Sequence, residues 1–288
     1  MRDNPLVSVY IPTKNRVNLL KRALESVQRQ TYPNIEIIVV NDGSTDATES
    51  VVKRAMASDS RIKLITFKES VGAPRARNEA ITSASAEVVT GLDDDDYFLP
   101  HRIESLVRAY DPDYAFVCAG YYWSYGRVKR PLHNSLMLID IDAQLHMNEA
   151  SNQVLAEKSR IVDVGGFDEQ MVSCQDWELW TRLLIKYGPA LRVNDESYVI
   201  DASHDSLRIT DNPERAKGFS QFEARFTKYM KPSHRRSIAF HGAVAAGQKL
   251  SLLSTIKLMT RPMWRRNIRY WLSCRFPTLT RKRLESLR

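Results

Sequence analysis

Along the first hundred residues, apolar and polar positions follow two alternating periods. Runs 6–11, 35–40, 62–65 and 88–90 are short, β-branched and bounded by turn residues, the pattern of strands buried on both faces. Between the first two, Val17, Leu20, Ala23, Leu24 and Val27 recur at helical spacing, while Lys21, Arg22, Glu25 and Arg29 take the other face. Residues 46–58 and 72–83 predict a second and a third helix. Strands alternating with helices imply an α/β fold, a mainly parallel sheet flanked by helices. Past Pro100 the pattern loosens into a helix to Tyr110, a strand over 114–119, an aromatic turn over 121–126 and a strand-to-helix passage over 161–187. After Thr210 the segments read as helices.

Ligands of such sheets bind beyond the carboxyl ends of the strands, near the point where strand order reverses. The residues predicted there, 12–16, 41–46, 68–78 and 93–96, make an unusually polar and acidic rim. Its most charged part is the run Asp93, Asp94, Asp95 and Asp96. Two like charges 4 Å apart cost roughly 4 kcal/mol at an effective dielectric of 20, so a compensating cation is expected. A divalent metal such as magnesium or manganese, which prefers hard oxygen ligands, is one answer. The other is a solvated acidic turn capping the helix that begins near Pro100, with Asp96 as the cap. In 41–46, Gly43 turns the chain and Asp46 with Glu49 resembles a capping box, which leaves Asp42 to accept a hydrogen bond from a ligand such as a base N–H.

Composition narrows the class. A hydrophobic fraction of 43% with 9% aromatics is that of an ordinary folded protein. No stretch approaches the roughly 18 uncharged apolar residues of a membrane-spanning helix, and residues 1–5 carry no apolar signal region, so the expected location is the cytoplasm. Cys118, Cys174 and Cys274 are far apart and lack metal-ligand spacing, which predicts buried thiols. The net charge of +8 is uneven: residues 254–288 carry +9, leaving the body near neutral. Within that tail Met263, Trp264, Ile268, Trp271 and Leu272 share a helical face flanked by Arg265, Arg266 and Arg269. Such a helix suits either an anionic membrane surface or packing on the main domain with snorkelling arginines. The first is the expectation here, with location at the inner face of the cell membrane. Nothing in the body supports nucleic-acid binding.

Taken together, five ordered motifs carry a resemblance to glycosyltransferase family 2, nucleotide-sugar enzymes with the GT-A fold. They are Val7 through Arg16 (VSVYIPTKNR), Asn41 through Asp46 (NDGSTD), Gly72 with Ala76-Arg77-Asn78, Leu92 through Asp96 (LDDDD) with Pro100, and Gly165-Gly166-Phe167-Asp168-Glu169 followed by Gln175 through Arg182 (QDWELWTR). His204, Ser206, Arg208, Ile209 and Thr210 resemble the motif after that family's last core strand. The resemblance implies a GT-A catalytic domain over 1–210, with a nucleotide-binding half 1–100 and an acceptor half 101–210, and a helical basic extension over 211–288. It implies a nucleotide pocket of Pro12, Thr13, Asn15, Arg16, Asp42, Arg77, Asp93 and Asp94, and a Mn2+ or Mg2+ ion held by Asp95 and His204. It implies Asp176 as general base, with Gly166, Phe167, Gln175 and Trp177 towards the sugars. The implied reaction is inverting transfer of a hexose from a UDP-sugar to a glycan or lipid-linked glycan in surface polysaccharide assembly. Many relatives carry Glu where Gln175 stands, which bears on the tuning of the base.

Trp177, Trp180 and residues 121–125 offer aromatic faces for sugars, although Trp180 and Leu183 fit the core face of a helix better, and among these aromatic segments acceptor contact is favoured for 121–123. Three other classes fit an acidic α/β rim less well. A sugar-phosphate nucleotidyltransferase would carry a glycine-rich loop where residues 12–16 have no glycine, and a dinucleotide oxidoreductase fails for the same reason. A non-catalytic glycan-binding protein is expected to lack Asp95 or Asp176, and both are present.

Overall fold

The computed structural model describes residues 4–203 and 214–279. A five-stranded sheet has the order β3-β2-β1-β4-β9, formed by β1 (Val7–Thr13), β2 (Ile35–Asp42), β3 (Ile62–Phe67), β4 (Val88–Gly91) and β9 (Ala156–Glu157). The pairs β1/β2, β1/β4 and β2/β3 are parallel, and β9 adds an antiparallel edge. Helices α1 (Val17–Gln28), α2 (Thr48–Ser58) and α3 (Ala73–Ser83) connect the parallel strands. Alternate residues of β1 and β2 feed two cores. Val7, Val9, Ile11, Ile37 and Val39 pack with Leu20, Leu24 and Val27 of α1, while Tyr10, Ile38 and Val40 pack with Ala76 and Ala80 of α3. Burial on both faces explains why these strands are nearly continuous apolar runs rather than alternating ones.

A second sheet is built around the long strand β10 (Ala190–Asp201). It pairs in parallel with β6 (Val117–Ser124) and antiparallel with β5 (Tyr97–Phe98) and β8 (Met137–Ile139), and β6 pairs antiparallel with β7 (Lys129–Leu132). The aromatic segment at 121–126 is therefore not a turn. Tyr121, Tyr122 and Trp123 lie within β6, as their β propensity favours, and the chain reverses between Tyr125 and Val128, whose backbones are bonded at 2.9 Å. The expected strand-to-helix passage at 161–187 is instead two helices, α6 (Lys158–Asp163) and α7 (Gln175–Tyr187). Ile161 is an apolar helix residue packed into the second core.

Helix α4 (Arg102–Ala109) follows β5, and α5 (Ile141–His146) follows β8. Beyond the second sheet come α8 (Arg215–Phe226), α9 (Pro232–Ala245), α10 (Leu252–Leu258) and α11 (Trp264–Arg275). A third core joins α8 and α9 to the body: Leu145 of α5 and Trp177 of α7 pack with Phe219, Phe222 and Phe226 of α8 and Ile238 of α9. Among the described residues no helix is long and apolar enough to cross a membrane.

Candidate active site

Strand order reverses between β1 and β4, so the loops after these strands meet at one end of the sheet, over a cleft of about 710 Å³. Pro12, Thr13, Lys14 and Arg16 from the first loop and the four aspartates from the second line this cleft. Asn15 does not. Its backbone is left-handed (φ 53°), its side-chain oxygen accepts from the Thr45 amide at 2.7 Å, and its own amide donates to the Ser44 hydroxyl at 2.9 Å. It fastens two rim loops together. Asp42 reaches the cleft while accepting from the Ser70 hydroxyl (2.7 Å) and the Val71 and Gly72 amides (2.6 and 3.1 Å). A carboxylate offers about four lone pairs, so one acceptor position remains.

The four aspartates do not face one another as a block. Asp93 accepts from Arg77 at 2.9 Å and from the Gln153 amide at 3.1 Å. Asp94 accepts from the Thr13 hydroxyl at 2.7 Å and from Arg16 at 3.0 Å. Asp95 lies 3.4 Å from Arg16. Asp96 is turned into the second sheet, accepting from the Tyr198 hydroxyl at 2.9 Å and the Asp201 amide at 3.0 Å. Asp96 is therefore no helix cap: α4 starts only at Arg102, with His101 at its cap position. Burial raises the Asp96 carboxyl well above the usual carboxylate range, with Asp95 and Asp93 adding to the effect. Part of the expected compensation thus comes from within the protein, through Arg16, Arg77 and the burial of Asp96.

Asp94 and Asp95 remain as hard oxygen donors on the cleft. Burial pushes Asp94 up to about 6 against the pull of Arg16 and Thr13, a cost of ionisation that a divalent cation would relieve. The two residues fit such an ion. His204, the other expected ligand, lies outside the described residues. A separate group of candidate ligands, Asp142, His146 and His234, sits between α5 and α9 and does not line the cleft. There Lys231 ion-pairs with Asp142, and the Lys231 amide donates to His234 Nδ1.

Asp176 lies in the first turn of α7 after Cys174, whose left-handed backbone (φ 61°) turns the chain into the helix. It is on the cleft floor, and burial pushes its carboxyl up to about 6, opposed by the Trp177 amide and then by Arg77. Asn148 donates to Asp176 at 2.9 Å. Arg77 bridges the aspartate loop and the start of α7, donating to Asp93 and, at 3.3 Å, to Gln175 beside Asp176. Neither Asn148 nor Gln153 stands in any of the sequence motifs. Their loop, 147–153, is brought to the cleft by tertiary packing alone.

Three residues expected near sugars are held mainly by contacts within the protein. Phe167 is 2% exposed and packs edge-on against Trp180 with its face under Arg77. Gly166 lies with it off the cleft lining, against Asn78, whose side chain accepts from the Phe167 amide and donates to its carbonyl. Trp177 touches the cleft but is 4% exposed, donating to the Gln144 carbonyl amid Phe219 and Phe222. Gln175 lines the cleft as expected. The opposite wall is made by Tyr121 and Trp123 of β6, and by Arg215, Phe219, His241 and Arg266 of the C-terminal helices, which the motifs did not indicate.

A family model described as glycosyl transferase family 2 matches residues 8–167. The WcaA protein of Escherichia coli strain K12, named for glycosyl transfer in colanic acid biosynthesis, is 32% identical over 236 residues, 77% of this chain and 81% of that protein. A GalNAc(5)-diNAcBac-PP-undecaprenol beta-1,3-glucosyltransferase of Campylobacter jejuni is 40% identical over 114 residues, 39% of this chain and 37% of its own length. Among solved structures, S. aureus TarS 1-349 in complex with UDP-GlcNAc superposes with a TM-score of 0.69 at 17% identity, over 93% of this chain and 81% of that one. The mannosyltransferase PcManGT from Pyrobaculum calidifontis, in complex with GDP-Man and Mn2+, does so at 0.63 and 19%, over 96% and 88%. At such identities the structures speak for the GT-A fold alone.

Proposed function

Because the chain belongs to glycosyltransferase family 2, as an enzyme of polysaccharide biosynthesis, we propose that it transfers a hexose from a UDP-sugar to a hydroxyl of a glycan or lipid-linked glycan with inversion. The observation that carries this reading is the placement of Asp176 in the same cleft as Asp93, Asp94 and Asp95, with Arg77 donating to Asp93 on one side and to Gln175, next to Asp176, on the other.

Asp42 offers its remaining lone pair to the base, while Thr13 and Arg16 shape the pocket for ribose and phosphate. Asp95 and Asp94 would hold a Mn2+ or Mg2+ ion, which would supply positive charge against the departing diphosphate. Asp176, with a pKa of about 6, is ionised at neutral pH yet still basic enough to accept a proton. The acceptor hydroxyl gives its proton to Asp176 as its oxygen bonds to the sugar carbon, and the bond from that carbon to the diphosphate breaks on the opposite face. Arg77 keeps Asp93 and Gln175 in register on either side of this event. Residues 1–210 are the catalytic domain, 1–100 for the nucleotide and 101–210 for the acceptor, and 211–288 the extension. The acceptor is held at the inner face of the cell membrane, where the exposed apolar stripe of α11 and its arginines meet anionic lipid. Support comes from Trp264, Ile268 and Leu272, all at least 37% exposed on one side of that helix.

The test is a panel of nucleotide sugars assayed for release of nucleoside diphosphate with and without Mn2+, using Asp95→Asn and Asp176→Asn as controls. Release by the wild type should need the metal and fall in both variants. Release that persists in both folded variants rejects the assignment of these residues.

A further inference from the structure

The cations of the cleft are of two kinds. Arg16 and Arg77 on the donor side are ion-paired with Asp94 and Asp93. The guanidinium of Arg266, which lines the cleft from α11, has no ion pair or side-chain hydrogen bond among the described residues. Tyr121, Arg215, Arg269 and the neutral His241 are the ionisable groups near it, two of them cationic. Burial is the chief cause that lowers the Arg266 guanidinium from its ordinary value, and the two arginines add to it. A desolvated cation held against like charge calls for an anionic partner.

The neighbouring groups fit that partner. Burial pushes the Tyr121 phenol up to about 12, so it stays protonated and can donate. Burial pushes His241 down to about 3, and its Nε2 lies 3.1 Å from the His146 carbonyl, so it is a neutral donor engaged with the backbone. A neutral glycan offers no charge to offset these cations. Two guanidiniums in one wall match the fork geometry of phosphate oxygens. Arg266 also lies on the helix whose other side carries the exposed stripe Trp264, Ile268 and Leu272, so an anion held there is close to any lipid surface that stripe meets.

We propose that Arg266 and Arg215 form an anion subsite for the phosphate or diphosphate of a lipid-linked glycan acceptor. This rests on reading the protein as a glycosyltransferase whose acceptor enters beside Tyr121 and Trp123. The sugar bearing the attacking hydroxyl lies at Asp176, and the phosphate linkage to lipid lies beyond it, at the arginines.

The test uses the full chain with Arg266→Ala, Arg215→Ala and Arg266→Lys. Geranyl diphosphate and inorganic pyrophosphate are titrated in chelator by tryptophan fluorescence, and UDP with Mn2+ is titrated separately. Geranyl diphosphate should bind the wild type more tightly than pyrophosphate does. Each alanine variant should weaken it at least about tenfold, several times more than it weakens UDP, with Arg266→Lys between the two. Unchanged or absent geranyl diphosphate binding overturns the proposal. So does a parallel loss of UDP binding, which would assign the arginines to the donor diphosphate, and so does equal affinity for pyrophosphate, which would mark a free-phosphate site. Absence of sugar transfer in the nucleotide-sugar panel leaves these titrations readable, so the two readings fail separately.

Discussion

The Asn148 side-chain nitrogen lies 2.9 Å from an Asp176 carboxylate oxygen, and Asn148 is itself fixed, accepting from Gln144 at 3.1 Å and donating to the Ser151 carbonyl at 3.0 Å. A hydrogen bond to the ionised form favours it, so Asn148 holds the Asp176 pKa below where burial alone would set it. Replacing it by alanine should move the acidic limb of the pH–rate profile upward by about one unit, since a charged hydrogen bond is worth roughly 1.5 kcal/mol or more. At pH 6 the rate falls several-fold, and at pH 8 much of it returns. A uniform loss at every pH would show that Asn148 only supports the fold.

Asp176→Asn should remove turnover by about 10² to 10⁴ and at the same time stabilise the protein. Burial pushes the carboxyl from its ordinary pKa of 3.8 up to about 6 in the fold. Between those values the folded state holds the proton more tightly, so stability is lost as pH rises through the window and stays lower above it. A neutral isostere escapes that loss. At pH 7.5 the gain is about 1–3 kcal/mol, a few degrees in melting temperature, and at pH 4 it nearly vanishes. Thermal melts at both pH values check this. A lower melting temperature at pH 7.5 contradicts it.

Gly166 has φ +68°, and a Cβ there would stand 2.5 Å from the Asn78 side-chain oxygen. Gly166→Ala should therefore strain the backbone and displace Asn78 from Phe167, costing about 2–4 kcal/mol. Gly165→Ala, at φ +90° with no atom within 4 Å, should show the strain alone, about 1–2 kcal/mol. Denaturant midpoints separate the two. Equal losses would mean that the Asn78 contact contributes nothing.

What the sequence showed and what it hid differ by the range of the interactions involved. The rim after β1, β2 and β4 was legible because strand period, turn residues and the acidic run are all local signals. The aspartates' division of labour was not, since Asp96 is claimed by Tyr198 and Asp201, more than a hundred residues away. Phe167 reads as a motif residue whether it touches a sugar or, as here, supports Arg77. The aromatic run at 121–123 looked like a turn because nothing local reveals its partners in β7 and β10. The C-terminal helices were predicted as helices. That α8 and α9 reach the cleft through Arg215, Phe219 and His241 follows from the third core, which no spacing in the sequence announces, and Arg266 joins them from α11.

Helix α11 separates its two faces sharply. Met263 and Asn267 are buried against the body, while Trp264, Ile268 and Leu272, spaced by four, are 45%, 37% and 42% exposed, beside Leu252, Leu253 and Ile256 of α10. Packing on the domain would cover such side chains, and here it covers the opposite face. Lys257, Arg261, Arg265 and Arg269 border the stripe, and each cation near an anionic surface contributes about 1 kcal/mol. Full-length protein should sediment with vesicles containing anionic lipid and release as salt rises. Ile268→Asp with Leu272→Asp should lower that partition at least about tenfold, because two apolar side chains are lost from the interface and two anions added. Both positions face solvent, so the melting temperature should hold. Vesicle binding that is unchanged in the double variant would place the membrane contact elsewhere on the protein.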